Sequence, residues 1–246
     1  MGLKEQFDSE GYIILKGILT NHKEIIESLR HLLSLSSEFT DNSHWNSTGF
    51  VMSPTNPTQV QKVQSLGLFA PHILDMVFRH SAIQSALAEI RPICNQDFFG
   101  TKFFPMYPGA TSVNWHQDNH FFGTSSSHIT SCAVYLEPTN QANGCLKVIP
   151  RSHLSGILPH APGSGIWANG EWATGVNEEE AVQVECEAGS VVLFNSLLLH
   201  AANVNETTDR TRFSLFSHFV PRGLDFSWRE EDFSYGVFKD RYHYVE

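Results

Sequence analysis

The chain has 246 residues with 26 Asp and Glu against 16 Lys and Arg, a formal net charge of -10. That length suits a single domain, and the acidic balance argues against nucleic acid as a partner, since nucleic acid selects a basic face. Hydrophobic residues make up 41%, with 18 Phe and 5 Trp, enough for a sizeable aromatic core.

Residues 1–95 read as a helical preface. Phe7 to Gly17 reads as an opening strand. Thr20-Asn21 then caps a helix beginning near His22, whose Ile25, Ile26, Leu29, Leu32 and Leu33 recur at helical spacing. The stretch 41–58 is rich in Ser, Thr, Asn and Pro and reads as loop. Pro71 to Ile90 reads as one or two helices. From Gln96 the pattern changes to short strands. Phe98 to Pro105 places Lys102 and Phe104 on one face, and Tyr107-Pro108-Gly109 is a turn. His128 to Leu136 and Cys145 to Pro150 are further strands. The connection 154–187 is long for a compact domain. It carries Gly163, Gly165, Gly170 and Gly175 with Trp167 and Trp172, so it reads as a cover over a site. Val191 to Phe194 is an apolar strand after the turn Gly189-Ser190, and Arg210 to Phe219 is another strand. The tail after Val220 is aromatic enough to pack back on the body.

The chemistry gathers in three of these segments. If Ser112 to His120 is a strand, His116 and Asp118 point to one face and Gln117 to the other. An imidazole and a carboxylate so placed are two members of a 2-His-1-carboxylate triad, which holds Fe(II) and leaves positions open. His200, after the Val191 strand, can supply the third ligand from a facing sheet. Arg212, Ser214 and Phe216 share one strand face, and an Arg pointing into a barrel needs an anion, for which a carboxylate is the bidentate partner. His120, His153 and His160 are rival ligands that read as loop or rim histidines. His22-Lys23-Glu24 lies on a helix, where its two candidate ligands diverge.

Trp115-His116-Gln117-Asp118, Asn143-Gly144 followed by Pro150-Arg151-Ser152-His153, His200 with Asn205, and the opening Phe7 to Gly17 stretch stand in an order that resembles the phytanoyl-CoA dioxygenase family, from about Phe7 to Phe219. The resemblance implies a mainly β fold with N-terminal helices, a double-stranded β-helix (jelly roll, cupin-like). It also implies one dioxygenase domain over 1–246, with preface 1–95, core 96–220 including a lid at about 154–187, and tail 221–246. It implies Fe(II) on His116, Asp118 and His200, with 2-oxoglutarate and O2 as co-substrates. Arg212, with Ser214 and Lys102, would bind 2-oxoglutarate. The implied reaction oxidises a small organic metabolite, hydroxylation by default, and converts 2-oxoglutarate to succinate and CO2. Desaturation, epoxidation or ring formation are alternative outcomes. A cupin-like barrel working without 2-oxoglutarate and a non-catalytic metal-binding sensor are the other classes.

Several positions depart from the family pattern. Arg151 stands where Gly is usual, Ala202 where many members carry Ser, and Ala133 near a frequent Trp. Arg212 lies one residue further from the distal His than in many relatives, which leaves Arg210 as a rival; the offset to His218-Phe219 favours Arg212. The 154–187 segment has no Lys or Arg, so it suits a neutral, cationic or largely apolar small molecule and not a coenzyme A thioester, whose phosphates need a basic cluster. Cys94, Cys132, Cys145 and Cys186 form no C-x-x-C pair and read as buried thiols. No secretory leader or membrane-spanning stretch is read, and Gln6 stands where myristoylation wants Ser or Thr. A cytoplasmic protein without membrane or nucleic-acid partners is the expectation.

Overall fold

The computed structural model describes residues 1–36, 49–53, 56–92, 96–110, 112–163, 170–224 and the backbone of a strand at 241–242. Among the described residues four helices belong to the preface: α1 (Leu3–Glu10), α2 (His22–Ser34), α3 (Pro71–Val77) and α4 (Ser81–Ile90). A fifth, α5 (Asp118–Phe122), lies inside the core. The strands are β1 (Tyr12–Leu15), β2 (Phe50–Met52), β3 (Val60–Gln64), β4 (Gln96–Met106), β5 (Val113–His116), β6 (Thr130–Tyr135), β7 (Leu146–Val148), β8 (His160–Pro162), β9 (Glu171–Ala173), β10 (Val182–Val184), β11 (Ser190–Asn195), β12 (His200–Ala202), β13 (Arg212–Pro221) and β14 (Arg241–Tyr242). An eight-stranded sheet runs β1-β11-β6-β13-β4-β3-β2, with β14 also on β4. A four-stranded sheet runs β10-β7-β12-β5, and β8-β9 form a separate hairpin.

Side-chain alternation along the strands explains how the layers stack. Ala133, Tyr135, Val192 and Phe194 of the larger sheet pack with Leu146, Val148 and Val184 of the smaller one, so the two antiparallel sheets face each other as a jelly roll. The intervening residues Cys132, Val134, Val191, Leu193, Phe213 and Leu215 turn outward. They join a second core with Ile25, Leu29, Ile73, Leu74, Ile83 and Leu87 of the helices. Strand β11 is covered on both faces, which is why it reads as an unbroken apolar run. The helical spacing read in α2 holds: Ile25, Ile26, Leu29 and Leu32 are buried.

Two parts of the preface differ from the sequence reading. Helix α1 fills the first half of the stretch read as an opening strand, and only Tyr12–Leu15 is extended. The break is Gly11, with φ +85°, where a Cβ would lie 2.6 Å from both His153 Nδ1 and Leu198 Cδ1. The preface also contributes β2 and β3, which extend the larger sheet through pairing of β3 with β4. Strand β3 reads Val-Gln-Lys-Val-Gln, and its polar members obscure the strand pattern because that edge serves a polar interior. Part of the stretch read as loop, 49–53 and 56–58, is described; residues 37–48 and 54–55 lie outside the described residues, as do Cys94, Trp167 and all of the tail beyond Leu224 but its strand backbone. Among the described residues Cys132, Cys145 and Cys186 are buried and free. No helix there is long and apolar enough to cross a membrane.

The double coverage of β11 generates a stability prediction. Leu193→Ala should cost about 2–5 kcal/mol, whereas Leu68→Ala, at a site 69% exposed, should stay within about 0.5 kcal/mol. Denaturant unfolding of the two variants checks the contrast.

Candidate metal centre

His116 ends β5 and His200 begins β12, and the two are directly paired across neighbouring strands of the smaller sheet. His200 therefore comes from the adjacent strand and not, as the sequence suggested, from a facing sheet. The pairing brings the two imidazole centroids to 4.0 Å. In each ring Nδ1–H donates to the carbonyl two residues back, Asn114 at 2.8 Å and Leu198 at 2.9 Å. A carbonyl can only accept, so both Nε2 atoms keep their lone pairs for a ligand.

Asp118 is the first residue of α5, not part of a strand. The intervening Gln117 is extended, with φ -127° and ψ 126°, so His116 and Asp118 still share a side. Asp118 Oδ1 lies 3.8 Å from His116 Nε2, and Oδ2 lies 3.8 Å from His200 Nε2. One donor atom from each of the three residues falls within 4.8 Å of the others. Two neutral imidazoles and a carboxylate on one side suit a divalent transition metal such as iron.

Gln117 explains why this geometry is stiff. Its side chain is fully buried, donating to Gly156 O at 2.8 Å and Leu197 O at 2.6 Å and accepting from Leu158 N–H at 2.7 Å. The residue thus clamps the His116–Asp118 turn to two loops, with its buried amide satisfied.

The electrostatics match a cation site. Burial and the neighbouring His200 push His116 down to about 3, so its ring is neutral at pH 7. Burial alone would raise Asp118, but His200, His218, His116 and Lys102 around it hold the carboxyl well below its usual range. The rival histidines are engaged elsewhere. His153 Nε2 bonds Asp8 O against α1. His160 bonds Leu158 O through Nδ1 and accepts from Gln117 N–H at Nε2. His120 pairs with Glu171 and stacks on His160 at 3.9 Å.

Arg212 is 3% exposed and enters the space between the sheets at the other end of β13. Its Nε donates to Asn143 O at 3.2 Å, Nη2 meets Met106 Sδ at 2.7 Å, and its guanidinium lies 5.2 Å from the Tyr135 ring centre. Its Nη1 and the Ser214 Oγ, one alternation along, are buried and have no hydrogen-bond partner among the described residues. Arg212 makes no ion pair there either. A buried cation with an unsatisfied N–H beside an unsatisfied hydroxyl fits a ligand carboxylate. The rival Arg210 is exposed in the preceding turn.

Lys102 does not sit beside Arg212. It pairs with Phe216 in register, and its Nζ is 3.5 Å from His218 Nε2, at the metal end. Three features escaped the sequence reading, and a fourth, Trp172, was read only as part of a cover. His218 and Ser131 stand against Asp118, at 3.7 Å and 2.5 Å. Lys62 on β3 is pushed down to about 7 by burial and by the nearby Lys102 charge. Trp172 of the β8-β9 hairpin sets its ring edge-on to His116 at 5.9 Å. Only the tertiary fold makes these neighbours, although the lone polar residues in apolar strands were a usable signal for Ser131 and His218. The segment 154–187 is divided in role: Leu158, Ala173, Val176 and Ala181 pack on the outer side of the smaller sheet, while Trp172 reaches the site. Arg151 adopts φ +68°, which explains why Gly suits that position.

Comparison with known proteins agrees with this architecture. Residues 7–214 match the family model described as phytanoyl-CoA dioxygenase (PhyH). A phytanoyl-CoA dioxygenase of Arabidopsis thaliana is 28% identical over 161 residues, 61% of this chain and 55% of its own. The first relatives found are matched over 31–55% of their own length, so the chain spans about a third to a half of them. Among solved structures, the non-heme monooxygenase ThoJ superposes with TM-score 0.69 at 24% identity, covering 89% of this chain and 77% of its own. The epimerase SnoN, solved with Fe3+, alpha ketoglutarate and nogalamycin RO, superposes with TM-score 0.65 at 19% identity, covering 89% and 82%. With the family model spanning most of its length, the chain belongs to the phytanoyl-CoA dioxygenase family.

Proposed function

We propose that the protein is an Fe(II)- and 2-oxoglutarate-dependent dioxygenase that oxidises a small organic metabolite. The observation that carries it is a pairing within one interior: the His116, Asp118, His200 donor set at one end and the unsatisfied Arg212 Nη1 and Ser214 Oγ at the other. When bound, the iron with 2-oxoglutarate and O2 supplies the oxidation, releasing succinate and CO2 and attacking a C–H bond.

The chain's own residues bind, orient and exclude water. His116 and His200 offer Nε2 while their Nδ1–H bonds keep the rings from turning. Asp118 offers a carboxylate that stays ionised. Arg212 and Ser214 receive the far carboxylate of 2-oxoglutarate, and the Tyr135 face behind the guanidinium helps hold it in place. Phe194, 4.8 Å from the His200 ring, and Phe121 and Trp172 beside His116 dry the site. Lys102 reaches the same interior and serves 2-oxoglutarate or the substrate at the metal end. Hydroxylation is the default outcome; desaturation, epoxidation or ring formation depend on where the substrate's C–H bonds lie.

The substrate is a small molecule seated by aromatic faces, with Trp172 on its rim. Lys62 and Lys102 admit an anionic substituent inside the barrel, which widens the neutral-to-cationic range read from the sequence. They lie within the interior, not at a rim where several phosphates of a coenzyme A group would need to be met.

Three outcomes are expected. His116→Ala, Asp118→Ala and His200→Ala each weaken Fe(II) binding and abolish turnover without lowering the thermal midpoint by more than a few degrees. Retention of activity in any of them, by a succinate assay, contradicts the ligand set. Arg212→Ala raises the 2-oxoglutarate requirement by a cost on the order of 2–5 kcal/mol, while Arg210→Ala changes it within about twofold; the reverse ranking would place the co-substrate elsewhere. With matched acyl-CoA, free-acid and uncharged ring substrates, succinate forms with the small molecules, and turnover of the CoA ester alone would refute the substrate class.

A further inference from the structure

Two residues of the larger sheet press on Asp118 without belonging to the donor set. Ser131 of β6 and His218 of β13 are directly opposite in register. Ser131 Oγ lies 2.5 Å from Asp118 Oδ2 and 3.1 Å from His218 Nδ1. Lys102 Nζ lies 3.5 Å from His218 Nε2. Ser131 and His218 are 0% and 3% exposed, and Asp118 is 9% exposed.

The chemistry of the four groups allows one direction of donation. An ionised carboxylate only accepts, and an ammonium only donates. The single Ser131 proton therefore goes to Asp118. Ser131 then accepts from His218 Nδ1–H, which leaves Nε2 of a neutral ring to accept from Lys102. Phe99 and Phe122 pack against the His218 ring at 5.3 Å and 4.8 Å and hold it from turning.

We propose that Ser131, oriented by His218 and Lys102, is a positioning residue that engages one carboxylate oxygen of Asp118 and so restricts this residue to a single donor atom toward the metal. A carboxylate free to swing can occupy two positions around a metal; one pinned by a hydrogen bond occupies one and leaves the rest for co-substrate and oxygen. Lys102 then acts on the metal end of the site through His218, across three hydrogen bonds. The inference rests on the metal site proposed above.

The test is cobalt(II) titration of the purified apoprotein, read by its visible d–d bands, with 2-oxoglutarate added afterwards. Ser131→Ala should lower cobalt affinity roughly 10-fold and change the band pattern, with the thermal midpoint near that of the wild type. His218→Phe, which keeps an aromatic ring between Phe99 and Phe122 but has no Nδ1–H, should move both readouts in the same direction. His218→Asn, which restores a donor there, should recover most of the affinity. The double variant Ser131→Ala/His218→Phe should be no worse than Ser131→Ala alone, since both act through one hydrogen bond. Wild-type affinity and bands in Ser131→Ala overturn the inference, as do losses that multiply in the double variant. A wild-type protein that binds no cobalt overturns the metal site itself, and this inference with it.

Discussion

The site depends on one antiparallel pairing, β12 on β5 with His200 opposite His116. Residues directly opposite in such a pair hold their Cβ atoms about 5 Å apart, so two imidazoles on the same face must meet. Burial and proximity then disfavour a proton on His116, and the backbone carbonyls of Asn114 and Leu198 take the Nδ1–H of each ring. What faces inward is a pair of lone pairs. Asp118 completes the set because Gln117 is extended and its buried amide ties the turn to the loops at 156–158 and 197. The geometry of the donor set is thus a consequence of sheet register plus one satisfied buried amide.

The space between the sheets is organised by charge as much as by shape. Asp118 is surrounded by His116, His200, His218 and Lys102, while Arg212 sits further along β13 against a carbonyl, a thioether and a ring face. Desolvated charge is costly unless paired. Lys62 is eased by its lowered affinity for a proton, and Lys102 donates to His218. Arg212 keeps an unsatisfied N–H beside the Ser214 hydroxyl. On the function proposed above, a dicarboxylate held between the donor set and Arg212 would balance both ends and tie metal and co-substrate binding to one electrostatic need.

The rim is built from the long connection after β7. Its β8-β9 hairpin is fastened by the His120–Glu171 pair and the His120–His160 stack, and the fastening sets Trp172 edge-on to His116. Leu158, Ala173, Val176 and Ala181 of the same segment pack on the outer side of the smaller sheet against Trp115, Ile149 and Leu199. Two of the rival histidines, His120 and His160, are therefore spent on holding the rim in place, while His153 is spent on α1.

His116 and Asp118 were legible in the sequence because an i, i+2 spacing keeps two side chains on one side whether the second residue continues the strand or opens a helix, as Asp118 does. His200 and Arg212 were legible from the apolar strand before the one and the alternation of Arg212, Ser214 and Phe216 along the other. The helical preface was legible from its periodicity, but not β2, a three-residue strand inside a stretch read as loop, nor β3, whose polar residues serve an interior that exists only once the sheet is assembled. Which strand His200 comes from, that Lys102 lies by His218 and not by Arg212, that Lys62 lies near it, and that Ser131 and His218 close on Asp118 were decided by the tertiary structure alone. Each is a contact between strands far apart in the chain, and a local pattern specifies the face a side chain takes but not the partner that face will meet.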